Sequence, residues 1–385
     1  MDAVSTAFSA LMGREPAGLW SAPGRVNLIG EHTDYNAGLA LPIALPHRTY
    51  AACAPRGDDL LRVHSLQQDR GIEITIDQIA PDQPGGWAAY VAGVIWAMRA
   101  EGIAAPGLDV VVDGQVPLGA GLSSSAALEC SVAAAAADLA GTDLMNSAQG
   151  RGLLAQCADR AENEIALAPT GGMDQLASML CQRDHALLLD CRDGRTEQVP
   201  FDLGAHELAL LVTDTRAEHA LVDGQYAQRR RSCEQAARRL GVASLREISR
   251  AELAQALAEL DDDLLSRRAR HVVTEIDRVE RAVTALAADD YEGLGELLLA
   301  SHASLRDDYE VTVKELDLAV ETACAAGALG ARMTGGGFGG STIALVPANE
   351  ADAIAAAVER AFADANLRPP ASFMATAGHG ARRER

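Results

Sequence analysis

Residues 117–129 read Pro-Leu-Gly-Ala-Gly-Leu-Ser-Ser-Ser-Ala-Ala-Leu-Glu. This run constrains the fold more than any other stretch. A β-branched segment, Leu108–Val112, precedes it and predicts a strand. An alanine-rich segment, Ser124–Ala140, follows and predicts a helix. Gly119 and Gly121 allow a turn whose backbone approaches a ligand closely. The helix start beyond them offers free N–H groups and the positive end of a dipole, which favour an anion. Ser124 and Ser125 add hydroxyls that donate to phosphate, and a serine hydroxyl can complete a Mg2+ shell. The plain alternative is an ordinary helix N-cap with glycine in the turn. It accounts for one serine, not for three after two glycines. A Walker A loop is excluded, because it needs a lysine at its end and Lys314 is the only lysine of the chain. A dinucleotide fingerprint also fits poorly, since Gly119-x-Gly121 lacks the third glycine. The turn points to nucleotide phosphates held in a small-molecule kinase.

The chain has 385 residues, room for two packed domains at roughly 150 residues each. A net charge of -21 argues against nucleic-acid or anionic-membrane partners, which need a basic field. It leaves ATP open, which requires only local positive charge and metal. The seven cysteines are odd in number and form no C-x-x-C, so a reduced, cytoplasmic compartment is expected. Met1 to Trp20 lacks the basic start and apolar core of a signal peptide, and no run reaches the length of a membrane span.

The first half reads as strands followed by helices. Strands are expected at Trp20–Ala22, Leu39–Leu45, Thr49–Ala54, Leu61–Leu66, Ile72–Ile76 and Leu108–Val112. Helices are expected at Trp87–Ala100, Ser124–Ala140, Arg151–Glu164 and Met173–Leu180. A strand at Leu208–Thr213 opens a second unit. Helices follow over 223–240, 264–288, 291–305 and 313–326, then strands at 330–333 and 342–346, a helix at 350–363 and a strand at 372–375. Without the extra helices this is the β-α-β-β-α-β order of a ferredoxin-like domain. No linker separates the two units, so a site between them is expected.

Three further stretches carry chemistry. Between positions 25 and 36 stand Arg25, Asn27, Glu31, His32, Asp34, Tyr35 and Asn36, flanked by apolar strands. That density of donors and acceptors suits a polyhydroxylated ligand. A solvated hairpin loop, or a metal site of Glu31, His32 and Asp34, are the alternatives. Arg332–Thr342 holds five glycines in the six residues 335–340, and a strand, not a helix, follows, so the dinucleotide-binding context fails. The loop suits close backbone approach to another domain or a ligand. Glu162, near a helix end, and Asp174, after Pro169-Thr170-Gly171-Gly172, can reach one cleft. In phosphoryl transfer one acid holds Mg2+ and another orients the attacking hydroxyl. Taken singly, Asp174 reads first as a helix N-cap and Glu162 as a solvated helix face.

Together these stretches resemble the galactokinases, a branch of the GHMP small-molecule kinase family. Gly24–Gly38 resembles the galactokinase signature, Pro117–Ala126 the family's phosphate loop, and Arg332–Gly340 its third glycine motif. Gly171–Gln175 is similar to the catalytic-aspartate segment. His219–Arg230, with Leu221, Gly224, Tyr226 and Arg229, is similar to a further sugar-contacting stretch. The matches run in the family's order over most of the chain. The resemblance implies an α+β fold of two domains. The first, over 1–203, would be like ribosomal protein S5 domain 2, and the second, over 204–385, ferredoxin-like. It implies transfer of the ATP γ-phosphate to the anomeric hydroxyl of α-D-galactose by a monomer that uses Mg2+. By position, Glu31, His32, Thr33, Asp34, Gly171, Asp174 and Tyr226 would contact the sugar. Asp174 would orient or deprotonate the 1-hydroxyl, and Arg25 would stabilise charge. Gly119, Ala120, Gly121, Leu122, Ser123, Ser124 and Ser125 would bind the phosphates, with Ser65 and Trp87 near the nucleotide. Ser125 and Glu162 would hold Mg2+. Three positions depart from the family's pattern: Ala37 for a glycine, Thr170 for a common cysteine and Gly172 for a common isoleucine. They bear on sugar selectivity and keep a related N-acetylgalactosamine or arabinose 1-kinase in view. A non-catalytic sugar sensor on the same fold is the other alternative, and the presence of Arg25, Glu162 and Asp174 speaks against it.

Overall fold

Alternating burial organises the first half of the chain. In the strand Pro42–Pro55, Ala51 and Cys53 join the core on one side of the sheet, while Ala52 and Ala54 join the core on the other. The computed structural model describes residues 2–168, 170–217 and 222–385. Its largest sheet has six strands in the order Arg382–Arg383, Gly18–Asn27, Pro42–Pro55, Leu108–Gly114, Leu60–Ser65 and Ile72–Thr75. Neighbours are antiparallel except Leu60–Ser65 and Leu108–Gly114, which run parallel. One face takes the helix Asp2–Met12, whose Val4 and Phe8 pack on Leu19, Ala52, Ala54 and Val111. The other takes the helices Ala88–Ala100, Ser124–Leu139, Ala148–Arg160 and Met173–Leu180. Ala133–Ala137 are fully buried. Their short side chains let the phosphate-turn helix run through the core, and its N-terminus emerges at one fixed point.

The second unit is a four-stranded antiparallel sheet in the order Gly330–Thr334, Ser341–Pro347, Leu208–Asp214, Ala371–Ala375. By chain position this is 2-3-1-4, the ferredoxin-like order that the sequence predicts. Leu211, Ala344 and Val346 face the helices Lys314–Ala325 and Ala351–Asp364. Leu210, Val212, Ile343 and Leu345 face inward, in one core with Val26, Ile29, Leu41 and Ile43 of the first unit. The helix Asp263–Ala287 lines that shared core through Val272, Ile276 and Val279. The two units are thus joined by a continuous apolar interior, and the polar signature between Asn27 and Gly38 lies along it.

Several elements depart from expectation. The strands expected at 39–45 and 49–54 are a short strand, Leu39–Ala40, and one long strand, Pro42–Pro55. The helix expected over 151–164 spans Ala148–Arg160 and continues as a π-helical turn, Ala161–Ile165. The sequence reading missed the helix Asp2–Met12, the helix Leu253–Leu260 and the strands His185–Asp190 and Arg195–Pro200; His185–Asp190 pairs with Leu39–Ala40 on one side and Arg195–Pro200 on the other in a third sheet. Arg382–Arg383, inside the expected second unit, pairs with Gly18–Asn27 in the first sheet. All seven cysteines are free thiols. Among the described residues no helix is long and apolar enough to cross a membrane.

Candidate active site

The polar signature folds into a tight turn stitched from both units. Asn27 accepts from the Leu41 amide at 3.1 Å and its amide nitrogen donates to Glu31. The Glu31 carboxylate also accepts from the Gly335 N–H at 2.6 Å and from the Thr334 hydroxyl at 3.2 Å, and it forms an ion pair with Arg332 at 3.2 Å. Two carboxylate oxygens offer about four acceptor positions, and protein donors take three of them. Burial raises the Glu31 pKa, against the pull of Arg332. His32 lies between Tyr35, whose hydroxyl is 2.7 Å from Nδ1, and the Gly336 carbonyl, 3.1 Å from Nε2. A carbonyl only accepts, so Nε2 carries the hydrogen and Nδ1 takes the tyrosine proton. Burial lowers the His32 pKa to about 3, and the ring is neutral. A cavity of about 470 Å³ opens above this floor, lined by Arg25, Glu31, His32, Asp34, Tyr90, Gly171, Asp174 and Tyr226 among others.

Asp34 and Asp174 provide the carboxylates that face this cavity. Burial and the nearby Asp174 raise the Asp34 pKa to about 6. The backbone at Gly171 runs against Asp34: a Cβ there would overlap Oδ2 and lie 2.6 Å from Cγ. Asp174 is no helix cap. Gly172 occupies the cap position of Met173–Leu180, and the Asp174 side chain turns away. Arg25 grips it in two-pronged fashion, Nε to Oδ1 at 2.7 Å and Nη2 to Oδ2 at 2.8 Å, and Ser123 donates to Oδ2 at 2.5 Å. The third guanidinium nitrogen, Nη1, donates to the Gly121 carbonyl at 2.7 Å, which binds Arg25 into the phosphate turn.

That turn forms a second, smaller cavity of about 260 Å³. Pro117, Gly119, Gly121, Leu122, Ser123, Ser124 and Ser125 line it, together with Arg25, Asp174 and Gly336. Arg25, Asp174 and Gly336 therefore belong to the walls of both cavities. The third glycine motif closes on the turn backbone to backbone. A Cβ on Gly335 would stand 3.0 Å from the Gly121 carbonyl oxygen, and one on Gly340 3.2 Å from that of Ala120. The Ser341 hydroxyl donates to Ala120 at 2.7 Å.

Glu162 lies in the π-helical turn beside Ser125, with the Gln175 amide donating to Oε2 at 2.5 Å. Burial, then the charge of Asp174, raises its pKa to about 8. Glu129 lies beside it, fully buried, and burial and Glu162 push its carboxyl well above the usual range. Among the described residues no group of three or more His, Cys, Asp or Glu is arranged to hold a metal, and Glu31, His32 and Asp34 form none.

Four expected site residues line neither of these two cavities. Thr33 lines neither cavity; it is fully buried, and its hydroxyl lies 2.9 Å from the Gly30 carbonyl and 2.6 Å from that of Leu39. It shapes the turn. Ala120 is buried behind its loop and presents only backbone. The Ser65 hydroxyl bonds to Gln67 at 3.1 Å, and Trp87 packs on the helical core of the first unit; neither lines the two cavities. His219 and Leu221 lie outside the described residues. Sequence reasoning missed the roles of Arg332, Glu129, Gln175 and Glu275. Glu275 accepts from the Gly30 amide at 3.0 Å and from Ser301 at 2.6 Å, and pairs with Arg278 at 2.7 Å. Only Glu129 left a local trace, four residues after Ser125 on the same helix face.

Comparison with known proteins bears on this geometry. Residues 6–55 match the galactokinase galactose-binding signature, residues 89–182 the GHMP kinase N-terminal domain and residues 282–364 the GHMP kinase C-terminal domain. A galactokinase of Streptomyces coelicolor is 50% identical over 383 residues, 99% of this chain and 97% of that protein. One from Mycobacterium tuberculosis is 47% identical over 362 residues, covering 94% and 98% of the two chains. The crystal structure of Lactococcus lactis galactokinase complexed with galactose superposes with a TM-score of 0.92 at 34% identity, covering 99% of each chain. The Methanococcus jannaschii mevalonate kinase shares the fold alone, with a TM-score of 0.63 at 16% identity over 94% of this chain and 98% of that one.

Proposed function

This chain belongs to the galactokinase family of GHMP kinases, and from that premise we propose that it transfers the γ-phosphoryl group of ATP to the 1-hydroxyl of α-D-galactose, giving galactose 1-phosphate and ADP. One observation carries the reading: Asp174 and Arg25 stand in the wall shared by the sugar-sized cavity and the phosphate turn. An acceptor hydroxyl bound in the first cavity and a γ-phosphate in the second would meet at this pair.

Each residue then has a chemical part. Asp34 accepts from sugar hydroxyls, and Tyr226 walls the cavity beside the His32 ring, whose centroid lies 5.5 Å from its own. Glu31 and His32 form the floor, with most of their hydrogen-bonding capacity directed into the protein. Asp174 orients the 1-hydroxyl and takes its proton on a carboxylate oxygen as the oxygen attacks phosphorus. Arg25 holds that carboxylate in place and keeps positive charge at the phosphate turn, where the chain has no lysine to offer. Ser124 and the turn's backbone N–H groups bind phosphate oxygens, while the Ser123 hydroxyl hydrogen stays on Asp174. The reaction is one of positioning and electrostatics.

Mg2+ suits the donor set of Ser125 and Glu162: a hydroxyl beside a carboxylate, hard oxygens both, the carboxylate buried. When bound, the ion would neutralise charge on the transferring phosphates.

The decisive test measures ADP release with galactose, N-acetylgalactosamine, glucose and arabinose side by side, for the wild type and Asp174→Asn. Galactose should dominate. The variant should fold and lose on the order of 10²–10⁴ in kcat, the range for a positioned acid–base group. Undiminished turnover by Asp174→Asn would sink the assignment.

A further inference from the structure

Three elements converge on one buried amide that the mechanism does not use. Gln175, next to Asp174, has no exposed surface, and neither does Glu129. The Gln175 Nε2 donates to Glu129 Oε2 at 3.0 Å and to Glu162 Oε2 at 2.5 Å. Both hydrogens of one amide thus go to two different carboxyl groups. Glu129 comes from the phosphate-turn helix, one turn beyond Ser125, and Glu162 from the π-helical turn. Glu129 Oε1 and Gln175 Oε1 have no hydrogen-bond partner among the described residues. Bare buried oxygens of this kind cost stability, so packing alone does not explain them. An apolar trio would fill the same space at lower cost.

We infer that Gln175, anchored by Glu129, is the positioning residue that fixes the Glu162 carboxylate beside Ser125 for the divalent cation. Two carboxyl groups this close would otherwise turn apart. The amide holds one in reach of the Ser125 hydroxyl and ties it to the segment that carries Asp174, so metal ligand and catalytic carboxylate are set by one rigid helix start. Groups that orient a metal ligand are commonly worth 10–100-fold in metal affinity.

The inference rests on the galactokinase reading for its metal, and its test is separable from turnover. The probe is Mn2+, titrated with a non-hydrolysable ATP analogue onto the full chain and read by electron paramagnetic resonance of the free ion. Galactose affinity is measured on the same samples by calorimetry without nucleotide. Gln175→Leu should weaken Mn2+ about 10–100-fold and leave galactose Kd within about twofold. Glu129→Met, which removes a buried carboxyl with a bare oxygen and should fold, is expected to weaken Mn2+ in the same direction. Glu129→Gln keeps an acceptor for the amide and should stay within about threefold of wild type. The inference is overturned if Gln175→Leu and Glu129→Met bind Mn2+ as the wild type does. It is also overturned if Gln175→Leu loses Mn2+ and galactose by the same factor, the mark of general damage. If Gln175→Leu does not fold, Glu129→Met against Glu129→Gln decides. A wild-type enzyme that binds Mn2+ with nucleotide yet releases no ADP with galactose would refute the activity, not the positioning role.

Discussion

Gly171→Ala adds one methyl group at the edge of the sugar cavity. Its consequences follow from the geometry. Gly171 has an ordinary backbone conformation, so alanine brings no backbone strain. The new Cβ overlaps the Asp34 carboxylate and lies 2.6 Å from its Cγ. Asp34 must rotate away, and it can, because its carboxylate borders open cavity. Overpacking ordinarily costs about 1–3 kcal/mol, and this freedom places the stability loss near the low end. Sugar binding has no such escape. A hydrogen bond to a charged group is worth about 1.5–3 kcal/mol, so losing the Asp34 contact should weaken galactose roughly 10- to 150-fold. Gly172→Ala is the control. Its φ is +80° and its Cβ would lie 3.4 Å from Asp159, so the burden there is backbone strain. That variant should lose stability, with galactose affinity little changed. Calorimetric titration with galactose and a thermal melt of each variant give both quantities. A Gly171→Ala enzyme that binds galactose within twofold of wild type would refute the reasoning. So would a Gly172→Ala enzyme that loses galactose affinity to the same degree.

Two other predictions concern pH and strain. Asp34, with its pKa raised to about 6, should accept sugar hydroxyls well above that pH and poorly below it. Galactose Kd should therefore rise as pH falls from 7.5 to 5, and Asp34→Asn should flatten the profile in calorimetry. Stability has the opposite sign: a raised folded-state pKa contributes stability that is complete below the unfolded value of about 3.9 and is lost as pH rises through about 6. The melting temperature difference between wild type and Asp34→Asn should shift accordingly over that window. Ala37 is held at φ 55 and ψ 31, a left-handed conformation that costs a non-glycine residue about 1–2 kcal/mol. Offset by the entropy of glycine, Ala37→Gly should stabilise by roughly 0.5–1 kcal/mol, read as a rise in denaturant midpoint with unchanged slope.

The phosphate turn and the ferredoxin-like order were legible because both are local. The turn's glycines and serines fall within thirteen consecutive residues, 117–129, just after a β-branched run and at the head of an alanine-rich one. The strand Arg195–Pro200 was not legible: four of its residues are exposed, and no apolar alternation marks it. Its edge role comes from pairing with His185–Asp190. In the site, residue identity told which groups are polar but not which way they turn. Thr33 and Asp34 are neighbours, yet one hydroxyl closes the turn and the other side chain meets the cavity. Glu275 and Arg332 were invisible as partners of the signature, because they meet Gly30 and Glu31 only after some 245 and 301 residues of chain have folded back. Ser65 and Trp87 entered by resemblance alone, and no local chemistry ties them to the two cavities.

The close approach of the two glycine loops has a thermodynamic consequence. Gly336 walls both cavities, and its carbonyl accepts from His32 in the sugar floor. Gly335 and Gly340 rest on the backbone of the phosphate turn without a side chain between them to absorb movement. Any coupling free energy that sugar and nucleotide share across this contact is reciprocal by linkage. Whatever factor the nucleotide imposes on galactose affinity, galactose must impose on the nucleotide, whichever binds first.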